Sequence, residues 1–208
     1  MQFIGKEFWF PDVEEADEEG LLAVGGDLHP DRLLMAYQKG IFPWFIESGL
    51  VFWYCPPERF VLYPHEVKIS HSMKQLIKKG SFTVTENQCF TQVVQLCAAT
   101  HKFTSGSTWI TNNFVRSYTE LHGLGKARSV EVWDGDKLVG GLYGVEVGNI
   151  FCGESMFSLV PNTSKLALIH VCQTQRYSLI DCQIYSDHLA TMGGKLIDRR
   201  LFLEFLPV

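Results

Sequence analysis

Residues 128–147 read RSVEVWDGDKLVGGLYGVEV, two strand-favouring stretches joined by Asp134-Gly135-Asp136. An Asp-Gly pair supplies the positive φ that a tight turn between antiparallel strands requires. The stretch therefore predicts a β-hairpin with strands over residues 128–134 and 137–147. The glycines of the second strand do not precede a helix, so they indicate close backbone packing and not a phosphate-binding loop.

Outward from the hairpin, helical and extended patterns alternate along the chain. Before it, helices are predicted at residues 30–39, 71–79, 88–99 and 112–122, and a strand at 82–85. After it, strands are predicted at 150–157 and 178–184, helices at 163–175 and 187–192, and an extended apolar tail at 201–206. This mixture favours an α+β fold over a doubly wound parallel sheet.

The first sixty residues differ in composition from the rest of the chain. They are rich in glycine, proline and aromatic residues, and one helical pattern begins in them at Pro30. We therefore predict a small irregular N-terminal domain at residues 1–60, followed by a larger domain at residues 61–208.

The composition excludes several classes of protein. Hydrophobic residues make up 46% and charged residues 20% of the 208 positions, which is enough to form a core and excludes a disordered chain. The apolar runs end well before the roughly 18 residues that a membrane span needs, and the N-terminus lacks a signal-peptide pattern. We expect a cytosolic monomer with no membrane partner.

Charge and cysteine usage narrow the possible ligands. The net charge of −5 argues against extensive nonspecific contact with nucleic acid, although it permits a small basic patch. The six cysteines include no C-x-x-C pair, and no H-E-x-x-H pattern occurs, so no metal site is predicted. Buried, reduced thiols are the simplest interpretation of the cysteines.

The segment Leu179-Ile-Asp-Cys-Gln-Ile184 is the first candidate for chemistry. On a strand, Asp181 and Gln183 share a face with Leu179, while Ile180 lies on the opposite face. A carboxylate and an amide on a largely apolar strand need partners if they are buried. They form either a functional pair or a pair satisfied by a neighbouring loop.

The segment Gly153-Glu-Ser-Met-Phe157 is the second candidate. Strict alternation places Cys152, Glu154 and Met156 on one face, so Glu154 is a carboxylate between apolar neighbours. The segment resembles a G-x-S-x-G nucleophile elbow but has Phe157 in place of the last glycine. Ser155 is therefore interpreted as a structural hydroxyl and not as a nucleophile.

Seven motifs, some of them discussed above, occur in one order between about residues 10 and 202 and together resemble a known family. They are Gly20-Leu-Leu-Ala-Val-Gly-Gly-Asp-Leu28, Gly40-Ile-Phe-Pro-Trp44, Thr108-Trp-Ile-Thr111, Ser129-Val-Glu-Val-Trp133, Leu138-Val-Gly-Gly-Leu-Tyr-Gly144, Phe151-Cys-Gly-Glu-Ser-Met-Phe157 and Leu179-Ile-Asp-Cys-Gln183. In this order, they resemble the leucyl/phenylalanyl-tRNA–protein transferases of bacteria. Each motif alone is weakly specific, but the ordered set is highly specific.

The resemblance implies a fold and a reaction. A small N-terminal domain would precede a domain of the GNAT (acyl-CoA N-acyltransferase-like) type. The enzyme would move Leu, Phe or Met from an aminoacyl-tRNA to the N-terminal Arg or Lys of a protein, which marks that protein for N-end rule degradation. No cofactor is implied, and coenzyme A in particular is not used.

The resemblance also implies roles for particular residues, carried over position by position. The catalytic residues would be Asp181, Gln183 and Glu154. Residues near the 3′-terminal adenosine and the aminoacyl group would be Trp44, Trp109, Tyr37, Tyr118, Leu142, Phe151, Met156 and Ile180. The acceptor stem of the tRNA would meet Lys74, Lys78 and Lys79.

We expect Gln183 to hydrogen-bond the attacking amine, and Asp181 to orient Gln183 and help accept the proton. Glu154, or Asp181 itself, would attract the cationic side chain of the acceptor. The family's Trp-Trp-Ser-Pro-Asp-Pro-Arg and Ser-Arg-Ser stand here as Trp53-Tyr-Cys-Pro-Pro-Glu-Arg59 and Ser70-His-Ser72, which bears on RNA affinity. Alternatives are a coenzyme A-dependent acetyltransferase, a non-catalytic RNA- or peptide-binding module, and a thiol hydrolase using Cys152 or Cys182.

Overall fold

The structure is a computed structural model that describes residues 2–105, 108 and 110–207. Its strands are β1 (Gln2–Ile4), β2 (Leu21–Gly25), β3 (Phe42–Glu47), β4 (Leu50–Tyr54), β5 (Glu58–Leu62), β6 (Thr83–Glu86), β7 (Ala127–Asp134), β8 (Lys137–Val147), β9 (Ile150–Ser158), β10 (Leu179–Asp181) and β11 (Lys195–Asp198). Its α-helices are α1 (Pro30–Gln38), α2 (His71–Lys79), α3 (Phe90–Ser105), α4 (Asn112–Gly123), α5 (Thr163–Gln173), α6 (Asp187–Thr191) and α7 (Arg199–Leu203). The predicted α+β class is confirmed.

The strands form two sheets. The N-terminal sheet has the order β1-β2-β4-β3, and the larger sheet has the order β11-β5-β10-β9-β8-β7-β6. The larger sheet is antiparallel except at one place, where β10 runs parallel to β9. On their other sides, β10 pairs antiparallel with β5, and β9 pairs antiparallel with β8. That parallel pair is short, with Leu179 opposite Ile150 and Asp181 opposite Cys152.

Apolar side chains cover both faces of the larger sheet. On one face, Tyr143, Val145 and Leu179 join a core that includes residues of α1, α3 and α4. On the other face, Leu142 and Ile180 pack with residues of α5. Because successive side chains of a strand point to opposite faces, neighbouring residues such as Leu142 and Tyr143 belong to different cores.

Local sequence chemistry explains several element boundaries. The predicted hairpin forms, with β7 and β8 paired around a turn at Gly135, which has φ +58°. Ser70 caps α2 by accepting a hydrogen bond from the Met73 N–H, and Gly80 ends the helix in the left-handed conformation. Thr111 caps α4 in the same way. The helix predicted over residues 71–79 is confirmed with these bounds, and the one predicted over residues 112–122 extends one residue further.

Several sequence predictions differ from the structure. The N-terminal residues are not irregular, because their short extended pieces pair into the four-stranded sheet. The tail predicted as extended contains α7, which the Asp198 side chain caps by accepting from the Arg200 N–H. The strand predicted over residues 178–184 ends at Asp181. Within the described ranges, no helix combines the length and apolar character that crossing a bilayer requires.

Candidate active site

A cavity of about 330 Å³ lies where β9 and β10 separate. The two strands pair as far as Cys152 and Asp181, after which β10 ends and β9 continues to Ser158. Residues of both cores line this cavity, so it reaches both faces of the sheet beyond that last pair. Among the described residues, the lining consists of Phe42, Pro43, Trp44, His101, Leu142, Tyr143, Phe151, Gly153, Glu154, Ser155, Met156, Leu168, Ile180, Cys182, Gln183, Ile184, Tyr185, Ser186, His188 and Leu189.

A β-bulge on β9 sets the position of Glu154. In the register with β8, Ser155 is opposite Tyr143 and Gly153 is opposite Gly144, so Glu154 is an extra residue in its strand. A bulge interrupts side-chain alternation and redirects a side chain. Met156 therefore packs in the core beside α5, whereas Cys152 packs in the opposite core. The prediction that Cys152, Glu154 and Met156 share one face is wrong for this reason.

Gln183 lies in a tight turn directly after β10. Its φ is +65°, a left-handed conformation that costs a non-glycine residue about 1–3 kcal/mol. The Ile184 N–H donates to the Cys182 carbonyl at 2.8 Å across the turn, and the Gln183 N–H donates to Asp181 Oδ1 at 2.9 Å. The carboxylate of Asp181 therefore holds the backbone of Gln183 in this unfavourable conformation.

Asp181 itself is held by a buried ion pair with Arg59. The Nε and Nη2 atoms of Arg59 each donate to one carboxylate oxygen of Asp181 at 2.7 Å, and both side chains are buried. Arg59 Nη1 donates to the Gly40 carbonyl, and the rings of Phe42 and Phe202 lie 4.6 Å from the guanidinium carbon. The charge-assisted, bidentate geometry makes this a strongly directional contact.

Glu154 receives the side chain of Gln183. Gln183 Nε2 donates to Glu154 Oε1 at 2.7 Å, and the Tyr118 hydroxyl donates to Oε2 at 2.9 Å. Tyr118 therefore accepts from the Tyr37 hydroxyl, which it contacts on its other side. Because the amide nitrogen of Gln183 is bound to a carboxylate, its amide oxygen is the atom that can accept a hydrogen bond from a ligand.

Burial raises the pKa of Glu154 to about 7, although the hydrogen bonds from the tyrosines and Gln183 oppose the rise. A carboxyl group with a pKa near neutrality can both accept and release a proton under cellular conditions. The site thus joins an amide acceptor to a titratable carboxyl group, beside an apolar chamber formed by Leu142, Phe151, Met156, Leu168 and Ile180.

The structure brings most of the sequence-predicted site residues to this cavity. Trp44, Glu154, Gln183 and the four predicted apolar residues Leu142, Phe151, Met156 and Ile180 line it. Asp181, Tyr37 and Tyr118 are buried behind the wall and act on lining residues. Trp109 lies outside the described residues. Lys74, Lys78 and Lys79 are exposed on α2 and do not line the cavity.

Cys152 and Cys182 are the thiols on which the hydrolase alternative depends. Burial raises the pKa of both thiols, so both are protonated and poorly nucleophilic at neutral pH. Ser155 Oγ lies 2.9 Å from His101 Nε2 at the cavity wall. Ser155 nevertheless lies inside a strand and not on the strand-to-helix turn of a nucleophile elbow.

Sequence reasoning missed Arg59 and the two aromatic rings that enclose its guanidinium. Arg59 and Asp181 are 122 positions apart, and no local pattern joins them. One usable indication was present, because Arg59 precedes the apolar run Phe60-Val-Leu62 in a strand that is buried after its first residue. A buried arginine requires an anionic or carbonyl partner.

Comparisons with known proteins agree over nearly the whole chain. The family model described as leucyl/phenylalanyl-tRNA protein transferase matches residues 61–207, and the model of its N-terminal domain matches residues 26–57. A leucyl/phenylalanyl-tRNA–protein transferase of Flavobacterium psychrophilum is 49% identical over 209 residues, covering 99% of each chain. The protein of the same name from Flavobacterium johnsoniae is 47% identical, with the same coverage.

A relative from another genus carries the same name. The Shewanella loihica protein is 48% identical over 202 residues, covering 95% of this chain and 85% of its own. Among solved structures, a conserved protein of unknown function from Bacteroides thetaiotaomicron aligns with a TM-score of 0.48 and 10% identity. That alignment covers 89% of this chain and 65% of the other, and it adds nothing to the comparison of sequences.

The buried ion pair generates a prediction about stability. Arg59→Met leaves the Asp181 carboxylate buried without its partner, so the free energy of unfolding should fall by about 3–5 kcal/mol. Urea unfolding measures the change. The control Arg116→Met removes an exposed arginine paired with Glu120 at 3.9 Å and should change stability by less than about 1 kcal/mol. Equal effects of the two substitutions would contradict the assignment.

The raised pKa of Glu154 generates a second prediction. A carboxyl group that binds its proton more tightly in the folded state stabilises the protein below the unfolded-state pKa of 4.5, and this stabilisation is lost as the pH rises through about 7. Relative to Glu154→Gln, the wild-type unfolding free energy should therefore fall by on the order of 3 kcal/mol between pH 4.5 and pH 8. A difference independent of pH in urea unfolding would show that Glu154 has an ordinary pKa.

Proposed function

The chain belongs to the leucyl/phenylalanyl-tRNA–protein transferase family, and from that membership we propose how its cavity transfers an aminoacyl group to a protein. The donor is an aminoacyl-tRNA carrying Leu, Phe or Met, and the acceptor is a protein with Arg or Lys at its N-terminus. The product enters N-end rule degradation in the cytosol. The observation that supports this proposal is the cavity itself, which joins an amide–carboxyl pair to an apolar chamber.

We propose that residues 61–208 form a GNAT-like catalytic domain and that residues 1–60 form the smaller domain. The support is topological. An otherwise antiparallel sheet contains one parallel pair, β9 and β10, which separates beside a bulge. The four-stranded sheet ends at Tyr54, and the first strand of the larger sheet begins at Glu58. The boundary therefore falls between these two residues, a few positions before the one predicted from composition, which would divide β5. No cofactor enters the proposal, because the ester of the donor is already activated.

The donor is proposed to span the two ends of the cavity. Its aminoacyl side chain enters the chamber between Phe151 and Met156, where burial of apolar surface supplies the affinity. The 3′-terminal adenosine lies against Trp44 and, from the resemblance, Trp109. Trp44 is partly exposed in β3, so an adenine base can stack on its ring.

The attacking group is the α-amine of the acceptor. Its pKa near 7.7–8.0 leaves an appreciable neutral fraction at cytosolic pH, so orientation contributes more than strong basicity. The amide oxygen of Gln183 accepts one N–H of the amine and directs its lone pair at the ester carbonyl carbon. The new C–N bond forms as the bond from that carbon to the ribose oxygen breaks.

Glu154 is proposed to handle the proton. Its carboxylate accepts the proton that the amine loses, and the resulting carboxyl group passes it to the departing ribose oxygen. Asp181 is engaged by Arg59 and by the Gln183 N–H, so we assign it the positioning of Gln183 and not the uptake of the proton. Among the described lining residues Glu154 is the one carboxylate, and its charge favours an acceptor with a cationic side chain.

We propose that Lys74, Lys78 and Lys79 contact the acceptor stem of the tRNA. They lie on exposed positions of α2, a helix whose buried residue Met73 packs in the core beside α5. Lysines held on a helix surface can follow a phosphate backbone without reading its sequence. A small patch of this kind is compatible with a net charge of −5.

A transfer assay tests the function. Labelled leucine on leucyl-tRNA should appear on a peptide that begins with Arg and should not appear on an otherwise identical peptide that begins with Ala. No transfer to the Arg peptide, under conditions in which the protein is folded and binds the charged tRNA, would overturn the proposal.

The mechanism predicts the effect of removing the Gln183 amide. Gln183→Ala should lower kcat for transfer by about 100-fold or more, because the amine loses the group that orients it. The Kd for aminoacyl-tRNA should change by less than about threefold, since the chamber and α2 are untouched. A variant with normal kcat would remove Gln183 from the reaction.

The basic patch predicts a change in salt dependence. Replacing Lys74, Lys78 and Lys79 by Gln should reduce the slope of log K against log salt for tRNA binding by about 2–3, roughly one unit for each phosphate contact. The matched control replaces the exposed lysines Lys6, Lys126 and Lys137. If both triple variants shift the slope equally, the contact lies elsewhere on the surface.

A further inference from the structure

The polar and apolar parts of the cavity lie on opposite sides of the larger sheet. Glu154 binds Tyr118, which belongs to the core beside α3 and α4. Leu142, Phe151 and Ile180 belong to the core beside α5. A ligand that reaches both parts must therefore pass through the sheet. The cavity is lined by residues of β9 and β10, so the gap between these two strands is where the ligand passes. We name this gap, which lies beyond the Cys152–Asp181 pair, the throat.

Gly153 lines the throat, and it differs from the other glycines of β8 and β9. A Cβ atom on Gly140 would lie 2.2 Å from Thr163 Oγ1, one on Gly141 2.6 Å from the Val130 carbonyl, and one on Gly144 2.3 Å from the Cys152 carbonyl. Each of those positions excludes a side chain by packing alone.

At Gly153, packing does not explain the missing side chain. The nearest atoms to a Cβ there would be the Asp181 carbonyl oxygen at 3.6 Å and Phe151 Cε1 at 3.9 Å, which are ordinary van der Waals contacts. Gly153 is also absent from the described glycines with positive φ. Gly153 borders the bulge at Glu154, but neither a packing clash nor a left-handed backbone prevents alanine from occupying its position. Because glycine inside a strand weakens it relative to alanine, the glycine calls for another explanation.

We propose that Gly153 is a specificity-determining residue whose missing side chain leaves room in the throat for the aminoacyl group of the donor. The proposal rests on the proposed function. The ester stays beside Glu154 and Gln183, while the Cβ and Cγ atoms of the aminoacyl group pass Gly153 and the remaining side-chain atoms occupy the chamber. A methyl group on residue 153 stands in this passage.

The width of the throat then determines which aminoacyl groups pass. A Cβ on residue 153 restricts a planar ring more than an isobutyl group, and an isobutyl group more than an unbranched thioether. The substitution therefore acts on Phe most, on Leu less and on Met least. It acts on the donor and not on the acceptor, which approaches from the side of Gln183.

The test is Gly153→Ala, assayed with phenylalanyl-, leucyl- and methionyl-tRNA and a peptide that begins with Arg. Its Tm should equal that of the wild type or exceed it by up to about 4 °C, because alanine fits the backbone and reduces the entropy of the unfolded chain. Its kcat/KM for phenylalanyl-tRNA should fall at least about 30-fold. The fall in kcat/KM should be smaller for leucyl-tRNA and much smaller for methionyl-tRNA. The KM for the peptide should not change.

Two other glycines provide controls. Gly123→Ala adds a Cβ with no atom within 4 Å at the end of α4, so it should leave kcat/KM unchanged, and its Tm should equal or slightly exceed that of the wild type. Gly144→Ala places a Cβ 2.3 Å from the Cys152 carbonyl and should lower Tm sharply. The series separates a glycine required by the fold from a glycine required by the ligand.

The outcomes are distinguishable. The throat assignment is overturned if the wild type transfers all three aminoacyl groups and Gly153→Ala transfers each of them as well as the wild type does. The proposed function then remains intact. A Gly153→Ala variant that unfolds like Gly144→Ala also overturns it, because packing then explains the glycine. Absence of wild-type transfer with any donor overturns the proposed function itself.

Discussion

The bidentate pairing of the Arg59 guanidinium with the Asp181 carboxylate joins β5 to the end of β10 and governs the geometry of the site. Two buried charges are stable together only when their hydrogen bonds are nearly complete, and here the Gly40 carbonyl and the Gln183 N–H complete them. The cost of separating the pair keeps Asp181 immobile. Asp181 in turn holds Gln183 in a strained turn. The buried ion pair therefore fixes the orientation of the Gln183 side chain at the cavity.

The separation of β9 from β10 gives the cavity its second property. A parallel pair that ended together would close the sheet, whereas the early end of β10 and the bulge at Glu154 leave an opening. Polar chemistry is thereby confined to one face of the sheet and apolar binding to the other. Because the two parts lie on opposite faces, the buried Glu154 carboxyl group, with its raised pKa, lies close to a chamber whose apolar lining excludes charged side chains.

Much of this architecture follows from local sequence chemistry, and the rest depends on contacts that no local pattern contains. The hairpin around Gly135 and the helix over residues 71–79 were predicted because turn residues and helical spacing act within a few positions. In the four-stranded sheet, the pairing of β1 with β2 was missed because it joins Gln2 to Ala23, whereas the hairpin of β3 and β4 around Ser48-Gly49 is local and was overlooked. Alternation predicted the neighbourhood of Glu154 and Gln183 but failed at the bulge and at the tight turn, where function departs from regular structure. Arg59 was missed since its partner is distant.

The passage of the aminoacyl group through the throat is best tested by the structure of the protein bound to a non-hydrolysable analogue, phenylalanine joined by an amide bond to the 3′ position of adenosine. The carbonyl carbon of the analogue should lie beside Gln183 and Glu154, and the phenyl ring should lie beyond the throat, about 4 Å from Phe151 and Met156. A phenyl ring that stays on the side of α3 and α4, with the gap beside Gly153 empty, would contradict it.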